Sequence, residues 1–185
     1  MKNIQDVLDK IENNEMRELA IEMFKTIPAY WYTVPASSSG KYHPSYALGD
    51  GGLFRHTIAV CQFLEFFFET EVFNFNSIER DCLRIAAVMH DSRKSGAQAD
   101  FEKNKYTKFD HPLQAAEVIR SFRDKDWSNE VIDLMAEAVE AHMGKFNTST
   151  RESTVLPVPK TKMQRILHLA DYLASRKNLE VKFDV

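Results

Sequence analysis

Ala86-Ala87-Val88-Met89-His90-Asp91-Ser92-Arg93-Lys94 is the stretch on which the fold reading turns. An apolar run leads straight into an adjacent imidazole and carboxylate, and polar residues follow at once. The run continues a helical pattern over residues 77–90, with Ile85, Val88 and Met89 as its expected core face. The His-Asp pair therefore closes a helix and opens a polar segment, 92–110. Successive helical side chains diverge by about 100°, but fraying at a helix end lets both turn toward one ion.

Working outward, helical patterns are expected at about 53–72, 111–123, 128–142 and 161–177, with one or two helices over 4–26 ended by Pro28. Ser77 and Ser128 fit N-caps, and Pro112 fits a first turn. Phe63, Phe66 and Phe67 read as a core stripe. Residues 28–52 hold Pro28, Pro35, Pro44, Ser37-Ser38-Ser39-Gly40, Gly49, Gly51 and Gly52, which is turn chemistry. They also hold Tyr30, Trp31, Tyr32, Tyr42 and Tyr46, so this loop is expected to be packed or substrate-facing. The segments 92–110 and 143–160 are read as long polar loops, a kind that is often functional. No convincing strand is found.

Hydrophobic residues make up 44% of the 185, enough for one core, and the 28% of charged residues suits a solvated surface rather than disorder. A formal net charge of −3 excludes a dedicated nucleic-acid coat, which needs a basic surface, but leaves room for a local basic cleft. Cys61 and Cys82 lie in apolar helical stretches without metal-motif spacing and are expected as free buried thiols in a reducing, cytoplasmic setting. Met1 to Lys10 carries no apolar signal core, and no apolar run approaches the ~20 residues of a membrane span.

Chemistry is expected from the histidines. His56 opens a helix after the glycine turn, His111 begins another, and His142 closes a third. Asp171 lies among apolar neighbours, where a carboxylate is costly unless it is paired or metal-bound. Imidazole with carboxylate suits Fe, Mn, Ni, Co or Zn, with Mg as a further option. Such a site activates water and neutralises phosphate.

The order His56, His90-Asp91, Asp171 resembles the signature of the HD-domain metal-dependent phosphohydrolases. Gly52-Leu53-Phe54-Arg55-His56-Thr57 and Leu167-His168-Leu169-Ala170-Asp171-Tyr172-Leu173 are similar to the family's first-histidine and final-aspartate helices. Two branches are nearest. Tyr42-His43-Pro44 with Pro157-Val158-Pro159-Lys160-Thr161 resembles the HD half of bacterial 3′-to-5′ exoribonucleases, which carry a further OB fold for which this sequence leaves no room. Leu169-Ala170-Asp171-Tyr172-Leu173-Ala174-Ser175-Arg176 resembles HD-type diadenosine tetraphosphate hydrolases.

The resemblance implies an all-α HD-domain bundle of six or seven helices around a central metal cleft. Residues 42–185 would form this domain, with the N-terminal helix and aromatic loop of 1–41 packed on it. It further implies a divalent transition metal, expected as two ions. His56, His90, Asp91 and Asp171 would hold the first, and Asp91 would bridge to a second held by His111 and His142. A hydroxide between the ions would attack phosphorus. Asp91 and Lys94 are the catalytic residues implied, Lys94 contacting phosphate. Tyr42, His43, Tyr46 and Arg93 are candidate substrate contacts, and His168 a packing or supporting residue. The substrate expected is a small nucleotide or a single-stranded nucleic-acid end, with no membrane partner and the oligomeric state open. The rival readings are a non-catalytic nucleotide-sensing or protein-contact module, and a metal hydrolase of non-phosphate substrates.

Overall fold

The computed structural model describes residues 1–70, 73–123 and 127–179. Eight α-helices follow one another: α1 Ile4–Leu8, α2 Asn14–Phe24, α3 Gly52–Glu69, α4 Ser77–Met89, α5 Gln98–Lys103, α6 His111–Arg120, α7 Asn129–Glu140 and α8 Lys162–Ala174. Two 3-10 turns, Ala29–Tyr32 and Ser45–Ala47, separate α2 from α3. Among the described residues there is no β-sheet, only an isolated bridge between Thr148 and Val155. None of the described helices is long and apolar enough to cross a membrane.

The all-helical bundle is as expected; among the described residues there are eight helices rather than six or seven. The extra helix is α5, inside the segment read as a loop. It is six residues long and buries none of them, so it leaves no apolar periodicity to detect. The pattern over 4–26 resolves into α1 and α2, because Asn13 caps a new start by accepting from the Met16 amide. Asn76, not Ser77, caps α4, in a reciprocal box with Glu79. Ser128 stands at the cap of α7 but gives no side-chain bond. α3 ends at Glu69, and Val72 of the expected helix lies outside the described residues, as do residues 180–185 of the expected domain.

α3 and α4 sit centrally, α3 packed on α8 and α4 on α7, with α6 lying against α7. Leu53, Ile58 and Leu64 from α3 and Leu83, Ile85, Val88 and Met89 from α4 are fully buried. The expected phenylalanine stripe is turned: Leu64 and Phe68, four apart on one face, point inward, Phe63 and Phe67 are half-buried, and Phe66 is 56% exposed. Cys61 and Cys82 are buried and free, and burial pushes the Cys82 thiol up to about 12.

The N-terminal segment joins the same core through Val7, Ile11, Leu19, Met23 and Trp31. A buried charge cluster secures it. Asp81 on α4 accepts from the Glu12 and Asn13 amides at 3.0–3.1 Å, in the turn between α1 and α2. It is paired with Arg84 at 3.0 Å, and Arg84 reaches across to Glu65 on α3 at 2.8 Å. The aromatic loop is packed too. The Tyr30 hydroxyl donates to the Gly96 carbonyl at 2.7 Å and accepts from the Ser95 amide at 3.0 Å, pinning the turn after the His-Asp pair. Gly52 is irreplaceable in the tight entry to α3, since a Cβ there would stand 2.3 Å from the Ala47 carbonyl oxygen.

Replacing Asp81 by Ala strands two amides and half of the Arg84 charge. It should cost about 3–5 kcal/mol, the scale of breaking a buried ion pair. Urea unfolding of the two proteins measures this; a loss below about 1 kcal/mol would show the cluster to be dispensable.

Candidate metal centre

Five helix ends or helix faces meet at one buried point. α3 supplies His56, the end of α4 supplies His90 and then Asp91, the start of α6 supplies His111, the turn after α7 supplies His142, and α8 supplies Asp171. All four imidazoles and Asp91 are at most 1% exposed.

Three of the histidines are oriented by one local device. His90 Nδ1 lies 2.7 Å from the Ala87 carbonyl, His111 Nδ1 2.6 Å from the Lys108 carbonyl, and His142 Nδ1 2.7 Å from the Val139 carbonyl. Each partner stands three residues upstream at a helix end or turn, and the Lys108 and Val139 carbonyls also accept from the backbone amide of the same histidine at 3.3 Å. A carbonyl only accepts, so Nδ1 carries the proton and Nε2 presents a lone pair. Backbone carbonyls thus do the orienting that Glu137 or Glu140 could have done; Glu140 instead pairs with Arg120.

The Nε2 atoms of these three rings and of His56 face carboxylate oxygens. Asp91 Oδ1 is 2.9 Å from His111 Nε2 and 3.6 Å from His142 Nε2; Oδ2 is 3.5 Å from His90 Nε2 and 4.0 Å from His56 Nε2. Asp171 Oδ1 is 3.0 Å from His56 Nε2 and 3.8 Å from His90 Nε2. His90 Nε2, His111 Nε2 and Asp91 Oδ1 are buried with no hydrogen-bond partner. Acceptors crowded against acceptors without a proton between them are costly, and a cation among them removes the cost. Bonds of about 2.1 Å at near-right or tetrahedral angles place neighbouring ligand atoms roughly 3–3.4 Å apart, close to the shorter separations here. Two groups have ligand atoms mutually within 4.8 Å: His56, His90 and Asp171, and His90, Asp91 and His142. The donor set fits a divalent transition metal.

Electrostatics agree. Burial pulls His90 down to about 4 against the opposing pull of the carboxylates, and burial with the Lys94 charge lowers His111. Both rings are neutral, as ligation requires. Burial alone would raise Asp91 and Asp171. The Lys94 ammonium holds Asp91 well below the usual carboxylate range, and the His56 contact does the same for Asp171.

The other expected site residues divide. Lys94 is no free loop lysine: its Nζ is 2.8 Å from Asp91 Oδ2 and the side chain is mostly buried. His43 stands edge-on to His56, ring centres 5.7 Å apart, and burial lowers it to about 4. Together with Tyr42, these line a cavity of about 300 Å³ floored by His56 and Asp171. Tyr46 and Arg93 are not brought there. The Tyr46 hydroxyl donates to the Ala174 carbonyl at 2.8 Å, tethering the end of α8, and the Arg93 guanidinium donates to the Thr26 carbonyl at 3.0 Å, tethering the end of α2. Each has an inward anchor that outcompetes a solvent-facing role. The cavity adds Phe146, Tyr172 and Arg176, with the Arg176 guanidinium 4.3 Å over the Tyr172 ring. Sequence reasoning missed these three as contacts; the one available signal was that they flank His142 and Asp171. His168 supports the centre as expected, its Nδ1 2.6 Å from the His142 carbonyl. It packs on Gly144, whose φ of +58° and lack of a Cβ, which would meet the imidazole at 2.1 Å, make room for it.

The family model for the HD domain matches residues 53–176. No curated protein and no solved structure matches the chain.

Asp91→Ala removes the carboxylate whose two oxygens lie within 4.0 Å of all four imidazoles and should abolish metal retention. Elemental analysis after chelator-free purification decides, and full metal content in the variant would refute the assignment. The neutral histidines also set a pH dependence. His43 and His90 protonate near 4 in the fold against 6.5 ordinarily. The unfolded chain therefore takes up protons first as pH falls below about 6.5, and stability present above that range drains away down to about 4. Chelator-treated protein should melt at lower temperature at pH 5 than at pH 7.5; an unchanged or higher Tm at pH 5 would contradict it.

Proposed function

The chain belongs to the HD-domain family, and we propose that within it this protein is a metal-dependent phosphohydrolase acting on a phosphoester or phosphoanhydride of a nucleotide or short oligonucleotide. One observation carries the reading. The cavity that reaches His56 and Asp171 also holds the Lys94 ammonium and the rings of Tyr42, Phe146 and Tyr172. A cation beside the candidate metal ligands suits phosphate, and aromatic faces suit a base.

In this reading His56, His90, Asp91 and Asp171 would hold one ion, and Asp91, His111 and His142 would hold a second. The imidazole-rich set favours Fe, Mn, Ni, Co or Zn over Mg. Divalent metal supplies Lewis acidity toward phosphate and lowers the pKa of water. The chain's own residues do the rest. Lys94 swings a compact charge from Asp91 Oδ2 toward a phosphate oxygen, where it offsets developing negative charge. Tyr42, Phe146 and Tyr172 offer stacking surfaces, a contact worth about 1–3 kcal/mol per base. His43, neutral at working pH, has a buried Nδ1 without a partner and orients substrate from the aromatic loop. The buried free thiols suit a reducing compartment, and the cytoplasm is the one proposed.

A panel of nucleotides and short oligonucleotides, with Mn, Fe, Co, Ni, Zn and Mg each supplied in turn, tests the activity. Metal-loaded protein inert on every substrate would favour a sensing or contact module instead. Lys94→Met should keep its metal content yet lose turnover by on the order of 10²-fold, the scale set by a lost charge-stabilising group. Undiminished turnover in that variant would remove Lys94 from the mechanism.

A further inference from the structure

Lys94 is the shared wall of three adjoining cavities. One is the aromatic cavity of about 300 Å³ against His56 and Asp171. A second, of about 310 Å³, lies under Ser37-Ser38-Ser39 beside His43 and Thr107. The third is the largest, about 580 Å³, and contains no candidate metal ligand; Tyr32, Ser38, Phe101, Lys105 and Thr107 line it with Lys94. Ser38 and Thr107 border both the second and the third. The cleft thus continues past Lys94, away from the aromatic arm.

We infer that the substrate carries a nucleotide-sized group on each side of the scissile phosphate, the second group seated between Tyr32 and Lys105. This rests on the phosphohydrolase reading and narrows its substrate class. A terminal phosphate would occupy only the neighbourhood of Lys94, whereas a space of about 580 Å³ is of the size that holds a whole small ligand. Its chemistry is mixed in the way a nucleotide is mixed. Lys94 and Lys105 offer positive charge, Ser38 and Thr107 hydroxyls, and Tyr32, 47% exposed, an aromatic face. Asp50 is the one carboxylate in its lining. Phe101 is held by stacking on Tyr30 with centres 4.5 Å apart, and Lys105 lies over its outer side at 5.8 Å. The Lys94 backbone is tied from the side, the Lys108 amide donating to its carbonyl at 2.8 Å. The roof is not tightly closed: Ser38 meets Thr107 through hydroxyls 3.5 Å apart, which a threaded ligand can part. On hydrolysis the water oxygen joins phosphorus, the bond from phosphorus to one bridging oxygen breaks, and that oxygen takes the water's proton. One product is left in each arm.

Calorimetry on Mn-loaded protein, alongside hydrolysis, reads this out. The ligands are a dinucleoside polyphosphate, a dinucleotide with a single phosphodiester, and the matching mononucleotide. At least one two-sided ligand should bind about tenfold more tightly than the mononucleotide, and which one does distinguishes anhydride from diester. Lys105→Glu should erase most of that preference, raising KM for the two-sided ligand well beyond any change for the mononucleotide, with kcat moving less than KM. Equal affinity for one-sided and two-sided ligands, or a preference untouched by Lys105→Glu, would overturn the second arm, and mononucleotide hydrolysis would then leave the phosphohydrolase reading standing. Hydrolysis of nothing would sink that reading, while the binding ratio would still decide the arm.

Discussion

The buried carboxylate of Asp91 faces the Nε2 atoms of four imidazoles, and the rest of the architecture can be understood as the means of tolerating that arrangement. A charge taken out of water needs compensation. Lys94 supplies part of it at 2.8 Å. The imidazoles cannot supply the remainder as donors, because His90, His111 and His142 spend their Nδ1 protons on carbonyls three residues upstream. The centre therefore calls for a cation. The same device sits where helices stop or start: α4 ends at Met89, just before His90, α7 ends at Glu140, two residues before His142, and α6 begins at His111.

Support for the centre comes from outside the ligand set. The turn after the His-Asp pair is pinned by Tyr30 from below and Lys108 from the side, through the Gly96, Ser95 and Lys94 backbones. Lys108 also accepts from His111, so one residue links the lysine turn to a candidate ligand. Tyr46 and Arg93 hold the ends of α8 and α2 in place of touching substrate. The aromatic loop thus divides its work: Tyr30, Trp31 and Tyr46 are buried and structural, whereas Tyr32 and Tyr42 keep exposed faces in the cleft.

The six ligand candidates were legible in the sequence through its resemblance to the HD signature, and periodicity added the local context of several of them: an apolar run that ends, a glycine turn, a proline in a first turn. Periodicity likewise revealed the long helices and the core face of α4. By itself the sequence determined an all-helical domain with several imidazoles near helix ends, since helix length, capping and composition are local properties, and its motif order pointed by resemblance to the HD family. Only the tertiary structure decided the rest. A polar helix such as α5 has no apolar signal. Inward and outward phenylalanines on α3 differ by a rotation that depends on which neighbours pack there. Whether Arg93 bonds Thr26 or Tyr46 bonds Ala174 is settled by partners 67 and 128 residues away, and the direction of a side chain toward so distant a partner leaves no mark on its own sequence neighbourhood.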